Sequence, residues 1–402
     1  MGFERTSGVR MYPFVGVFHK LCTYPKWVWP ILLFTLSCTF FSSCSNGGDF
    51  DEYIQDLEPL STQERQQRLD EYWHNISSFP LVADSVVWFF YKSDQPVSVF
   101  LSGDFNGWSK NATPFYNIVG TDVYYCRRTF PIDARIEYKL LVNGVWQTDS
   151  LNKRIARGGY GVNSVVYMPD YRFPTSVLPG HNTALTIPDT LTFGDGSDRE
   201  TVYVYRHVRA ANDAPCLVFL DGQDYLRYGS AGVILDNAVR NGDLPPVTAV
   251  FINTPDRMRA YWLNDNYLKH MMTRLLPDIW KSYGWRPRQK FVGGVSLGGL
   301  TALYALKDYS DEWAGVFAQS PSVWVDSLAI VGFLSDSNVG GQKVAVSMGK
   351  FERQERYIEK VKAALQARGA RVSYFPVTDG HNWGNWRATL LPMLKNLLST
   401  KE

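Results

Sequence analysis

The sequence predicts two folded parts in series: an all-β antiparallel sandwich, then a mostly parallel β-sheet with helices on both faces. Three observations predict it. From about Ser85 to Pro169, short alternating apolar runs are broken by turns: VVWFFYK, VSVFLSG, VYYCRRTF, IEYKLLVNG, VWQTD and VNSVVYMP. From Thr201 the runs become continuously apolar and are spaced by helical segments (TVYVYRHV, CLVFLDG, TAVFIN, AGVFAQS, KVAVSMG, VSYFPV), as strands buried on both faces require. Within this second half, Gly294-Val295-Ser296-Leu297-Gly298 reads as a sharp strand-to-helix turn, with near side-chain-free residues two before and two after the serine.

At 402 residues the chain is long enough for two cores, and 41 Lys plus Arg against 39 Asp plus Glu argue against a nucleic-acid or strongly anionic partner. The 13 Trp and 23 Tyr suit either core packing or surfaces that meet sugars and aryl groups. The apolar run Trp27 to Phe41 follows Lys20 and Lys26 and is too short for a comfortable membrane span, so it reads as a secretion signal. Ser42-Ser43-Cys44 resembles a bacterial lipobox, which makes Cys44 the lipidated first residue of the mature protein; Thr35 to Cys38 is a poorer candidate. The stretch before Lys20 is long for a signal, which leaves Met11 as an alternative start. The polar, acidic segment Ser45 to Glu52 suits a tether. The expected location is therefore outside the inner membrane of a Gram-negative bacterium, lipid-anchored at the outer membrane or cell surface. Beyond the leader only Cys126 and Cys216 remain, in different predicted parts, so free buried thiols are expected. Metal-ligand spacing is absent from the Cys and His pattern, and neither metal nor cofactor is expected.

The organisation follows in order: 1–44 leader, 45–84 tether and helical linker, 85–170 sandwich, 171–200 linker, and 201–402 the parallel-sheet part. Ser61 followed by Glu64 is a capping box for a helix in the linker. Asn143-Gly144 marks a tight hairpin. Gly103-Asp104-Phe105-Asn106-Gly107-Trp108, Tyr138-Lys139, Asn143 to Trp146, Asp149, Asn152 and Val162-Asn163-Ser164 resemble the early-set immunoglobulin-like domains that precede catalytic domains in glycogen-branching enzymes and enterochelin esterases. The resemblance implies a sandwich, and in some relatives a glycan-binding one, with Trp108 and Trp146 either structural or sugar-facing. In the second part, Tyr357, Val361, Ala364 and Leu365 form one helical stripe that Gly369 can end, and Leu390, Leu394, Leu397 and Leu398 form another.

In such sheets reactive groups gather beyond the carboxyl ends of strands. Four runs end that way: at Asp221-Gly222-Gln223-Asp224, at Ser296, at Gly349-Lys350-Phe351-Glu352, and at Asp379-Gly380-His381-Asn382. Serine, acid and histidine thus follow the chain order of an α/β-hydrolase. Asp221-Gly222-Gln223, GGVSLGGLTALYA, Ala318-Gln319-Ser320-Pro321-Ser322-Val323-Trp324, Gly349 to Glu352, and Gly380-His381 with Trp386-Arg387 are similar to blocks of the enterochelin esterase and esterase D group. The likeness implies Ser296 as nucleophile, His381 as general base and Glu352 as the orienting acid. The chemistry asks for the same roles: a serine hydroxyl needs a neutral imidazole to take its proton, and the imidazolium needs a fixed carboxylate behind it. Asp379 and Glu355 remain alternatives for the acid. The oxyanion would be met by the N–H of Leu297 and of Gly222 or Gln223. Asp221, Arg259, Trp262, Trp324 and Trp386 are candidate substrate contacts, with Trp262 standing where relatives usually carry a glutamate. The expected partner is a small-molecule or glycan ester: acetyl or feruloyl groups on plant polysaccharide first, enterochelin-type siderophore esters second. A non-catalytic glycan-binding lipoprotein is the reading from a different class.

Overall fold

The computed structural model describes residues 50–111, 113–179, 188–194 and 199–399, so the leader, Cys44 and parts of the 171–200 stretch lie outside the described residues. The first part contains β1 (Leu81–Ala83), β2 (Val86–Lys92), β3 (Val99–Gly103), β4 (Tyr116–Asn117), β5 (Val123–Thr129), β6 (Arg135–Val142), β7 (Val145–Gln147), β8 (Ile155–Gly158) and β9 (Gly161–Tyr167). These make two antiparallel sheets, ordered β1-β2-β5-β4 and β3-β6-β9-β8 with β7 added to β6. Alternation decides which side chains meet between them: Val87 and Phe89 from one sheet share a core with Leu101, Ile136, Tyr138 and Leu140 from the other.

Trp88 and Phe90 point the other way, where helices Phe50–Leu57 and Thr62–His74 cover them through Phe50, Leu57 and Leu69. That second cover explains why β2 is apolar at successive positions, and burying each such side chain contributes about 1.5–3 kcal/mol. The expected capping box is present: Ser61 Oγ accepts from Glu64 N–H, and Glu64 accepts from Ser61 N–H. At the Asn143-Gly144 turn both residues have positive φ, 49° and 83°, which is the geometry of a two-residue hairpin.

The second part adds β10 (Asp189–Phe193), β11 (Glu200–Arg206), β12 (Cys216–Leu220), β13 (Thr248–Asn253), β14 (Lys290–Val295), β15 (Gly315–Gln319), β16 (Lys343–Gly349) and β17 (Arg371–Val377). They form one eight-stranded sheet, ordered β10-β11-β13-β12-β14-β15-β16-β17. From β13 to β17 every pairing is parallel, while β10 and β11 are antiparallel additions at one edge. A piece of the stretch read as linker is therefore a sheet strand. Both faces are buried, in two apolar clusters on either side. The two expected stripes lie on helices Glu355–Ala367 and Trp383–Leu398, and Gly369 follows the first at φ 83°. Cys126 and Cys216 are free and buried, and burial pushes their thiols up to about 12 and about 11.

The sandwich rests on the loops that follow β16 and β17. Arg135 N–H donates to Thr378 O at 3.0 Å, and Arg353 Nη2 donates to Phe105 O at 2.7 Å. Phe130 meets Phe351 edge to face, with ring centroids 6.5 Å apart.

Candidate active site

β14 ends at Val295, and the helix Leu297–Tyr304 starts at once. Between them Ser296 takes φ 54° and ψ −118°, a conformation that costs a non-glycine residue about 1–3 kcal/mol. The turn is held by Ser296 N–H donating to Gln319 O at 2.9 Å. Both flanking glycines are forced: a Cβ on Gly294 would lie 2.5 Å from the Gly298 carbonyl carbon, and one on Gly298 would lie 2.7 Å from Asp221 Oδ2. Ser296 Oγ is hydrogen-bonded to Ser322 Oγ at 3.1 Å. Among the described residues no hydrogen bond joins Ser296 to His381.

Glu352 and His381 do meet. Glu352 Oε2 lies 2.7 Å from His381 Nδ1, with the carboxylate side chain 2 % exposed and the imidazole 40 % exposed. The other carboxylate oxygen, Oε1, accepts from Ser320 Oγ at 2.6 Å, Gly349 N–H at 2.8 Å and Asn385 Nδ2 at 3.3 Å. A carboxylate with its second oxygen so occupied presents a fixed first oxygen to the ring. Trp386 packs edge to face against the imidazole at 5.1 Å and donates its indole N–H to Ser320 Oγ at 3.0 Å. The turn Ser320 to Ser322 thus touches Glu352 on one side and Ser296 on the other.

The alternative acids lie elsewhere. Asp379 faces the sandwich, where Arg135 Nη1 approaches its two oxygens at 3.3 and 3.4 Å, and where Asn382 and the Gly380 N–H also donate to it. Burial raises its pKa to about 6. Glu355 opens the helix Glu355–Ala367 and is exposed.

On the other side of Ser296, Leu297 and Gln223 occupy the first turns of their helices, where amides have no intrahelical acceptor. Gly222 is required, since a Cβ there would lie 2.3 Å from the Phe251 carbonyl carbon. Asp221, at φ 61°, is a buried brace: Arg257 Nε and Nη2 grip its two oxygens at 2.6 and 2.9 Å. Both oxygens being taken, it is placed to hold the loop and not to contact substrate. Trp386 is likewise buried beneath the imidazole, its indole N–H already used. Trp262 and Trp324 remain as a surface pair, edge to face at 6.0 Å, with Trp324 48 % exposed and Trp262 donating to Asp326 Oδ2 at 3.1 Å. Arg259 is exposed.

Comparison with known proteins decides the family. Residues 197–397 match the Esterase family model, which is half of the chain. The chain belongs to this esterase family. Among curated relatives, the iron(III) enterobactin esterase of Dickeya dadantii (strain 3937) is 26% identical over 213 residues, 46% of this chain and 48% of the relative. That of Escherichia coli (strain K12) is 28% identical over 162 residues, 39% of this chain and 38% of the relative. This chain therefore spans about half the length, or less, of the curated relatives it matches. Among solved structures, the enterobactin esterase of Shigella flexneri, determined in the presence of enterobactin, superposes with a TM-score of 0.68 at 20% identity, covering 81% of this esterase-family chain and 97% of its own. At that identity the likeness is one of fold.

Sequence reasoning missed Ser320, Ser322, Asn385, Arg257 and Arg135. Ser320 and Ser322 lie within the segment Ala318 to Trp324, and Asn385 follows His381 by one helical turn. Arg257 carries no local signal, because its partner Asp221 is 36 residues away, and Arg135, though it pairs with Glu137 two residues on, also reaches Asp379 244 residues away.

Proposed function

We propose that the protein is a serine esterase that cleaves carboxylic esters through an acyl-serine, with Ser296 as nucleophile, His381 as general base and Glu352 as the acid that orients it. The observation that carries this reading is the 2.7 Å Glu352 to His381 contact beside a serine held in an elbow on the same sheet edge. Glu352 favours the tautomer with hydrogen on Nδ1, which leaves Nε2 free to take the serine proton as Oγ attacks the ester carbonyl. Negative charge then builds on the carbonyl oxygen, and the amides of Leu297 and of Gly222 or Gln223 are the donors assigned to it. The imidazolium returns the proton to the departing alcohol, and water repeats the sequence to release the acid. In the free chain Ser296 Oγ is paired with Ser322; serine-to-base hydrogen bonds commonly tighten only when substrate is bound. Replacing Ser296 with Ala should abolish hydrolysis of p-nitrophenyl acetate, and unchanged turnover would remove the elbow from the mechanism.

For substrate, an enterochelin-type catecholate ester is supported by the names of the relatives and by fold coverage that extends well beyond residues 197–397. Acetyl or feruloyl esters on plant polysaccharide form the second reading. It is favoured by Trp108 and Trp146, tilted against each other at 6.5 Å with Trp146 37 % exposed, on a sandwich we read as immunoglobulin-like. A panel of ferric enterobactin, acetylated xylan and feruloylated arabinoxylan separates the two by relative kcat/KM. We further propose a lipid anchor on Cys44, which predicts palmitate labelling that Cys44→Ser removes and Cys38→Ser leaves.

A further inference from the structure

The near-even overall charge conceals a local excess. A cavity of about 580 Å³ lies between β8 and β9 of the sandwich, the turn at Tyr228, and Arg387 on the helix Trp383–Leu398. Four guanidinium groups line it: Arg135, Arg157, Arg227 and Arg387. Arg135 is neutralised by Glu137 at 2.7 Å and Asp379 at 3.3 Å. Among the described residues the other three make no ion pair and no side-chain hydrogen bond; Arg227 overlies the Tyr228 ring at 5.1 Å and feels the charge of Asp224, which lies just outside the lining. The lining contains no Asp or Glu. Arg387 is half-buried, and its pKa is held below the usual range first by burial and then by the charge of Arg135. Three guanidinium groups without an ion pair thus face one hollow with their N–H donors uncommitted, and the partner such donors suit is an anion.

The size of the cavity narrows the choice. It falls within the range of small-molecule sites and greatly exceeds a bare oxyanion. Tyr167 and Tyr228 add ring faces to the wall, and planar guanidinium forks pair with carboxylate and phosphate oxygens two at a time. Ser296, Glu352 and His381 are not among the lining residues, so the anion would be held by groups other than those assigned to ester cleavage.

We propose that this cavity binds a small organic anion carrying two or more carboxylate or phosphate groups, held by Arg157, Arg227 and Arg387. The inference rests on the cavity and not on the esterase reading. Its test is calorimetric titration of the mature full-length chain carrying Ser296→Ala, so that no turnover contributes, at low ionic strength. The probes are citrate, digalacturonate and a hexose bisphosphate. Saturable one-to-one binding of at least one probe is expected, weakened tenfold or more by Arg157→Gln with Arg387→Gln. Binding of the carboxylates alone points to an acidic sugar or carboxylic acid as the natural ligand; binding of the bisphosphate alone points to a phosphorylated one. Absence of saturable binding by all three, or affinity unchanged in the double variant, overturns the proposal. Should the double variant lose its cooperative melting transition, Arg227→Gln alone decides the matter, because that exposed side chain makes no hydrogen bond that folding requires, and it is expected to weaken binding severalfold.

Discussion

The loop after β17 carries two acidic partnerships that face opposite ways. On one side His381 turns outward to Glu352, a pair whose histidine is 40 % exposed. On the other, two residues earlier, Asp379 turns inward to Arg135, and both side chains are almost fully buried, at 3 % and 1 % exposure. The outward pair is short and open to a ligand. The inward pair is sealed and shared with Glu137, Asp104 and Asn382. The difference teaches that a carboxylate near a histidine in sequence is not the one that meets it: a two-residue offset on a tight turn points the side chains apart, whereas Glu352 arrives from the turn just after β16, the strand paired beside β17. It also makes the sandwich more than a spacer. Its Asp104 lies so close to the loop that a Cβ on Gly380 would fall 2.1 Å from the carboxyl carbon.

The sharpest way to break the comparison is at the serine that the outward pair is proposed to serve. Ser296→Ala should lower kcat for p-nitrophenyl acetate by about 10⁴-fold or more, read in a steady-state assay of a normally folded protein. Next, Glu352→Gln should reduce kcat by about 10²–10⁴-fold, while Asp379→Asn should change it less than about tenfold. A larger kcat loss from Asp379→Asn would reverse the roles assigned to the two acids. Removing the inward partner acts on stability instead: Arg135→Met leaves buried carboxylates without their cation and should cost about 3–5 kcal/mol in denaturant unfolding.

The smallest effect is a slope. Asp379 titrates at about 6 in the folded chain, against an ordinary value of 3.8. The folded state therefore binds the proton over that interval while the unfolded state has released it, so this group makes stability fall as pH rises from about 4 to about 6. Asp379→Asn should flatten that part of a curve of unfolding free energy against pH; an unaltered slope would assign it to another group.

Much of the fold was legible because it is written in short stretches. Gly294 and Gly298 around Ser296 permit a close approach, Ser61 with Glu64 caps a helix, and Asn143-Gly144 takes the positive φ of a tight turn, and each appears as read. Apolar runs of uniform character announced the parallel strands, because strands covered on both faces admit no polar alternation. β10 escaped notice because an edge strand with one partner carries a polar pattern close to that of a loop.

What the sequence by itself determined is local: the elbow at Ser296, the strand and helix periods, and the order of serine, acid and histidine. Only the tertiary structure decided which acid faces His381, that Ser296 is hydrogen-bonded to Ser322, that Arg257 occupies Asp221, and that three arginines from both parts line one hollow whose lining holds no Asp or Glu. The physical reason is range. A turn or a period is set by forces among residues a few positions apart, whereas a charge or hydrogen bond acts through space on whatever the packing brings within about 4 Å, however far away it lies along the chain.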